Sequence, residues 1–376
     1  MHPSIKRDPW GAPPWQIDFH PPQQALPSSA DFAVIGAGFT GLAAAAWLRL
    51  LSPEKSVVVL EAGRIGAGAS GRTGGMVLDG AAADDLSGLD DVLGGLQEIL
   101  GKLGVECDLD LSGAWEVGRS GGIPNSPISW NDSGTLRVVK EVSGGTLDPG
   151  KLVSGLGRAA SRLGAAIFEN HRVERSEWRN GAELHFANGC LRAQKVLFAS
   201  NALSLPLAGL EHQTHPRLTL AASSAPLRDE QIAAIGLARS KPFYTVDFPY
   251  LWGRVCLDNS IVWGAGLAGP SDGHSVEDID IADAGPARMF ALLERRVRHL
   301  HPALNDVEFT HRWGGPILFR DNWTPIFARH PASEGGIVLG AYAGHGVALS
   351  SFLGAWAAET LLGRRDLPDW GRISAK

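Results

Sequence analysis

Cysteine, tyrosine and methionine each occur only three times in the 376 residues. Cys107, Cys190 and Cys256 are odd in number, far apart and without a C-x-x-C pair. That argues against a disulfide framework and a cysteine zinc site, and points to a reducing, cytoplasmic setting. A basic surplus is lacking too: 34 Lys and Arg stand against 40 Asp and Glu, a net charge of −6 with histidine neutral. Binding along a phosphate backbone favours the opposite sign, so a nucleic-acid partner is not expected. The 12 histidines form no H-E-x-x-H pair, and no metal site is expected. The first 15 residues contain no apolar core of a signal peptide. One stretch, residues 335–358, lacks Asp, Glu, Lys and Arg and is long enough to cross a bilayer. Its six glycines, with His345, Ser350 and Ser351, fit a buried strand, a glycine loop and a helix better than a transmembrane span.

What is present is enough apolar material for a large core: 44% apolar and 20% charged residues, in a length that suits two packed domains. Glycine is abundant at 47 residues, against an average usage of about 7%. Residues 1–30 hold seven of the 23 prolines and no hydrophobic period; they are expected to be an extended arm on the surface, or disorder. Order begins at Asp31. Residues 32–35 form a short apolar run, 42–51 are rich in Ala and Leu, and 56–60 read S-V-V-V-L. Together they predict a strand, a helix and a second strand, with a right-handed parallel crossover. Further helices are expected over 84–103, 148–163, 286–299 and 347–362. Strands are expected over 165–169, 171–174, 182–187, 193–199 and 336–339, with short antiparallel strands between 112 and 146.

The turn between the first strand and helix reads G-A-G-F-T-G, with Gly36, Gly38 and Gly41 in G-x-G-x-x-G spacing and Glu61 twenty residues beyond Gly41. In this strand–turn–helix setting the pattern is a dinucleotide fingerprint. Gly36 permits the tight turn, Gly38 lets a pyrophosphate approach the backbone, and Gly41 lets helix and strand pack closely. The helix N-terminus offers free N–H groups to the anion. Glu61 would accept hydrogen bonds from an adenosine ribose, and its charge would repel a 2′-phosphate.

Residues 61–75 then read E-A-G-R-I-G-A-G-A-S-G-R-T-G-G, residues 344–350 read G-H-G-V-A-L-S, and residues 198–202 read F-A-S-N-A. With the block from Gly36 to Ala45, these resemble the D-amino-acid-oxidase-like family of FAD-dependent amine oxidoreductases, which includes glycine and sarcosine oxidases and gamma-glutamylputrescine oxidase. The resemblance implies FAD as cofactor. The pyrophosphate turn would comprise Gly36, Ala37, Gly38, Phe39, Thr40 and Gly41. Glu61, Ala62 and Arg64 would serve the adenosine side, with Val173 meeting the adenine by its backbone. Ala69, Ser70, Gly71, Arg72, Thr73, Gly74, Gly75 and Met76 would wrap the ribityl chain and flavin edge. Ala199, Ser200 and Asn201 would pass beneath the pyrophosphate. Gly344, His345, Gly346 and Val347 would lie by the flavin pyrimidine, and Trp313 belongs to the same set. A helix N-terminus and a nearby histidine suit the negative charge of a reduced flavin.

The resemblance also implies an aromatic-x-basic pair facing the flavin, here Trp252 and Arg254, with Trp252 where the family has tyrosine. Alternate residues share a strand face, so both can point into one cavity. Trp252, Arg254 and His345 are the candidate catalytic residues; Arg217, Arg320 and Asp247 are looser candidates for holding a charged substrate group. Some relatives attach flavin to a cysteine before the C-terminal block, but residues 312–325 contain none, so noncovalent FAD is expected. The expected fold is α/β, a doubly wound FAD domain built from residues 31–82, 147–206 and 313–376, with a mixed α+β substrate domain from 83–146 and 207–312. The implied reaction oxidises the C–N bond of a small amine or amino acid by hydride transfer to flavin N5, the imine then hydrolysing, with oxygen or another acceptor reoxidising the flavin. Two alternatives stay open: a dehydrogenase of the same fold that passes electrons to a quinone or protein, and a flavin-binding assembly subunit without turnover.

Overall fold

A computed structural model describes residues 8–83, 85–271 and 274–373. It contains two eight-stranded sheets and one two-stranded ribbon. The first sheet runs Ile326–His330, Ser333–Gly340, Gly189–Phe198, Ser29–Ile35, Val57–Leu60 and Ala166–Phe168, with Arg175–Arg179 and Gly181–Phe186 as an antiparallel extension. Its central strands are parallel, and their ends are in register: Ile35 opposite Leu60 and Phe198, Leu60 opposite Phe168, and Phe198 opposite Val338. Loops leaving these carboxyl ends therefore gather along one edge, where ligands of open parallel sheets bind.

The expected crossover is present, with the helix Phe39–Leu51 between the first two strands. Its Ala43, Ala44, Ala45 and Ala46 are fully buried. Small side chains let the C-terminal helix Gly346–Leu361 lie close against it; a Cβ on Gly354 would sit 2.5 Å from the Thr40 carbonyl oxygen. That C-terminal helix is buried nearly all round, which accounts for the uncharged stretch before and within it. Among the described residues, no helix is long and apolar enough to cross a membrane.

The second sheet runs Phe309–Phe319, His215–Ser224, Ile261–Ala268, Trp252–Val255, Phe243–Thr245, Ala114–Gly118, Thr135–Val142 and Trp130–Asn131. The helix Ala284–Leu300 buries Phe290, Leu293, Val297 and Leu300 in the core that also holds Trp130, Phe243 and Trp263.

Four expectations change. Residues 313–319, assigned by sequence to the FAD domain, pair with His215–Ser224 in the second sheet instead. Residues 171–174 form no strand, because the His171 and Asn170 N–H groups bond back to the Glu61 and Gly63 carbonyls of the neighbouring turn. The helix expected from residue 84 starts at Val92, capped by the Asp91 side chain, and Asp84 itself lies outside the described residues. The proline-rich arm, of which residues 1–7 lie outside the described residues, is extended from residue 8 but not merely superficial. Trp10 is buried in the core beside the second sheet. Ile17 and Phe19 pack on the helical core of the first sheet, and Leu26 on its other face.

Candidate active site

A single cavity of about 650 Å³ starts at the glycine turn after Ile35 and reaches the second sheet at Trp252, within the usual size range of ligand pockets. Its walls come from four loops at the carboxyl edge of the first sheet, residues 36–40, 61–76, 171–173 and 199–204, closed by residues 342–347.

At the glycine turn the backbone does what the spacing predicts. Gly36 has φ +103°, and a Cβ there would lie 2.8 Å from the Ala199 carbonyl oxygen. A Cβ on Gly41 would lie 1.9 Å from the Gly36 carbonyl oxygen, so Gly41 serves helix–strand contact and does not line the cavity. At Gly38 an added Cβ would meet only the Ser70 hydroxyl, at 2.7 Å. That hydroxyl accepts from the Phe39 N–H at 2.9 Å, in the space a pyrophosphate would need. Glu61 is half-buried beside the turn. Its carboxylate accepts from the Ala37 N–H at 2.8 Å and the Gly63 N–H at 2.9 Å. Burial pushes the carboxyl's pKa up, against the lowering effect of those two bonds. Glu61→Gln should weaken FAD binding about tenfold or more, because one charge-assisted hydrogen bond contributes about 1.5–3 kcal/mol. Equilibrium titration of the apoprotein with FAD checks it, and unchanged affinity would detach Glu61 from the ribose.

The loop after Glu61 splits in two. Ala62, Ala69, Ser70, Arg72, Thr73, Gly74 and Met76 line the cavity; Arg64, Gly71 and Gly75, like Ala37, do not. Gly75 has φ +75° and packs against the Leu147 carbonyl and the Arg254 guanidinium. The Arg72 guanidinium faces away from the cavity. Its Nε donates to the Ala67 carbonyl at 2.8 Å, its Nη1 to the Gly11 carbonyl at 2.7 Å and the Gly314 carbonyl at 3.3 Å, and its Nη2 to the Asp8 carboxylate. The arm thus holds the loop 71–75 from behind. Trp15 reinforces it, donating its indole N–H to the Gly71 carbonyl at 2.7 Å and meeting the Trp313 ring edge-on at 5.4 Å. Trp313 in turn donates to the Arg72 carbonyl at 2.8 Å.

Trp252 lines the cavity, its indole slotted between Gly74 and Gly264; a Cβ on either glycine would come within 2.2 Å of the ring. Arg254 does not line the cavity. Its Nε donates to the Gly74 carbonyl and its guanidinium lies 6.0 Å from the Trp15 ring centroid. The expectation that it faces the substrate is therefore corrected: it secures the loop at Gly74. Of the looser candidates, Arg217 and Arg320 lie outside the lining, and Asp247 pairs with Arg119 at 3.5 Å.

Across the cavity, His345 precedes the C-terminal helix. Burial lowers its pKa, so the ring is neutral near pH 7. Among the described residues, its buried Nδ1 and the buried Ser350 hydroxyl, both beside the cavity, have no hydrogen-bond partner. The preceding loop is strained, with Ala341 at φ +58° and Ala343 at φ +50°, and facing it Asn201 at φ +49°. Orphaned polar atoms and strained backbone along one edge suit a large polar ligand that repays both. The glycine cradle, the acid beside it and these orphans together fit FAD.

Several lining residues escaped the sequence: His171, Arg172, Leu203, Thr219, Phe248, Leu267, Phe319 and Trp323 among them. One signal was available. The chain's only three tyrosines, Tyr244, Tyr250 and Tyr342, all line this cavity.

Comparison with known proteins agrees with this geometry. The family model described as DAO, FAD dependent oxidoreductase, matches residues 31–360. The chain is similar to a probable oxidoreductase, OrdL, of Haemophilus influenzae, 27% identical over 399 residues that cover 92% of this chain and 86% of that protein. It is 26% identical over 387 residues to the gamma-glutamylputrescine oxidoreductase of Escherichia coli, covering 89% and 84% of the two chains. The crystal structure of glycine oxidase from Geobacillus kaustophilus superposes with a TM-score of 0.70 at 18% identity, covering 90% of this chain and 96% of that one.

Proposed function

Because the chain belongs to the DAO family of FAD-dependent oxidoreductases, we propose that it oxidises the C–N bond of a small amine or amino acid, using noncovalently held FAD. The observation that carries this reading is the single cavity joining the glycine turn at Gly36 to the aromatic wall at Trp252. The similar Escherichia coli protein is by name an oxidoreductase of an amine conjugate, and the Geobacillus protein is by name an oxidase of an amino acid.

When bound, FAD supplies a two-electron acceptor for the C–H bond next to nitrogen. Gly36, Gly38 and the N-terminus of Phe39–Leu51 would hold its pyrophosphate, Glu61 its ribose, and Thr73, Gly74 and His345 the ring end. The chain's own part is orientation and water exclusion. Trp252 forms a flat wall between the flavin-side loop and the second sheet, and the apolar surroundings disfavour a second charge. The neutral imidazole of His345 adds no cation. An amine must lose its proton before its lone pair can support imine formation, and burial lowers an amine's pKa.

Anaerobic flavin bleaching by an alkyl amine should therefore accelerate from pH 6 to pH 10. Its apparent pKa should fall below the free amine's value of about 10.4. Stopped-flow absorbance measures it, and a pH-independent rate would remove the proton argument. Oxygen uptake in the same mixtures separates oxygen from a quinone or protein acceptor. A panel of amines and amino acids that leaves the flavin oxidised would overturn the reading.

Noncovalent attachment has a simple check. None of the three cysteines lines the cavity. Acid precipitation should leave intact FAD in the supernatant, and yellow colour in the pellet would refute it.

A further inference from the structure

The C–N reading covers amines and amino acids alike, and the walls of the cavity distinguish them. Resting on that reading, we propose that the substrate end takes an amine with an apolar or aromatic body and no carboxylate on the nitrogen-bearing carbon, and that Glu116, behind Tyr244, supplies the charge that favours it.

Every charged side chain that lines the cavity belongs to the first sheet's loops or is already engaged. Glu61 and Arg172 stand on the adenosine side, Arg172 paired with Glu277 at 2.6 Å. The Arg72 guanidinium is spent on carbonyls and Asp8. Among the described residues, the second sheet and its loops line the cavity with uncharged side chains only. Aromatic rings dominate there: Tyr244, Phe248, Tyr250, Trp252, Phe319 and Trp323. Phe248 is 77% exposed and Trp323 46%, so the apolar wall continues to the mouth. Basic residues near this end are engaged outside the cavity: Arg254 by the Gly74 carbonyl, Arg217 by the Pro216 carbonyl, and Arg296 by Asp132 and the Pro249 and Tyr250 carbonyls; Arg320, beside Phe319, lies outside the lining with its Nη2 on the Arg372 carbonyl at 3.2 Å.

A negative charge stands behind one of these rings. Tyr244 and Glu116 are partners on adjacent strands, and the Tyr244 hydroxyl donates to the Glu116 carboxylate at 2.9 Å. A carboxylate entering this end would lose its hydration, find no cation, and face a second carboxylate beyond the phenol. The amine arrives as an ammonium, which the aromatic faces and the negative charge attract at this end; the apolar wall beside Trp252 then favours loss of its proton.

The test uses the FAD-loaded protein and ligands that differ in one group. Anaerobic flavin reduction is measured with 2-phenylethylamine and with L- and D-phenylalanine, which add a carboxylate to the same carbon. Binding is read from perturbation of the flavin band by two unreactive probes, phenyltrimethylammonium and benzoate. The amine should exceed both acids at least about a hundredfold in the ratio of reduction rate to Kd, since leaving a buried charge unpaired costs about two powers of ten or more. The cation probe should bind more tightly than benzoate. Glu116→Gln should narrow that probe ratio by about tenfold or more with the FAD content unchanged. Reduction by either phenylalanine as efficient as by the amine overturns the proposal and leaves the C–N reading standing. If none of the three bleaches the flavin, the C–N reading falls and the proposal with it. Tighter binding of benzoate also overturns the proposal, and a Glu116→Gln ratio equal to the parent's removes Glu116 from it.

Discussion

The Gly38→Val variant should fold and purify without yellow colour. Gly38 caps the helix Phe39–Leu51 in an extended conformation, φ −86° and ψ −172°, which valine adopts readily. The only neighbour of an added Cβ is the Ser70 side chain, which can rotate. The folded protein therefore tolerates the substitution. The ligand does not: two methyl groups would stand where a pyrophosphate must reach the helix N-terminus. That contact combines several N–H donors with the helix dipole, and losing it should reduce FAD affinity by more than a hundredfold, about 2.7 kcal/mol or more. The check is the ratio of flavin absorbance to protein absorbance after purification, with circular dichroism to establish folding. A fully yellow, folded variant would sink the pyrophosphate assignment. Gly41→Val is the contrasting control. Its Cβ would meet the Gly36 carbonyl at 1.9 Å, so it should fail to fold.

Trimming the chain to begin at Ser28 should have an effect of similar size by another route. The deleted segment carries Trp10, buried in the second core, and the carbonyl and carboxylate partners of Arg72. Losing one buried tryptophan side chain costs about 3–5 kcal/mol. Arg72 is 9% exposed, so its guanidinium would be left buried and only partly bonded, a further penalty. The flavin-side loop 71–75 would lose its backing. The truncated protein should unfold at distinctly lower urea concentration and lose most of its FAD. Trp15→Ala separates the loop effect from the core effect. It removes the hydrogen bond to the Gly71 carbonyl and the cover over Arg254, and leaves Trp10 in place. It should weaken FAD about tenfold, since that hydrogen bond contributes about 0.5–1.5 kcal/mol and the packing a similar amount, with little change in the urea midpoint. A truncation that keeps full stability and full colour would make the arm dispensable.

Much of this protein was legible before any coordinates. Gly36, Gly38, Gly41 and Glu61 announce themselves because their duties are set within one β-α-β unit, where a turn, a helix start and a returning strand follow from neighbours in the chain. The helix Gly346–Leu361 was legible for the same reason, as an uncharged run broken by glycines at its start. What a strand alternates is also local, and it placed Trp252 and Arg254 on one face; both do lie on the face beside Gly74. Which of the two meets the cavity was not local. It depended on the length of arginine, on a carbonyl some 180 residues away in sequence at Gly74, and on Trp15 of the arm covering it. Arg72 repeats the lesson. Its place in a glycine loop suggested a cofactor contact, while Asp8, Gly11 and Gly314 decided where its charge went. The arm's own packing was hidden because seven prolines and no period describe an extended path but not what it lies against. The sequence by itself determined the cofactor cradle, since that is built from backbone turns of neighbouring residues. Tertiary structure alone decided the charge of the cavity wall on the second sheet, since whether an arginine faces a cavity depends on which distant carbonyls and carboxylates reach it first.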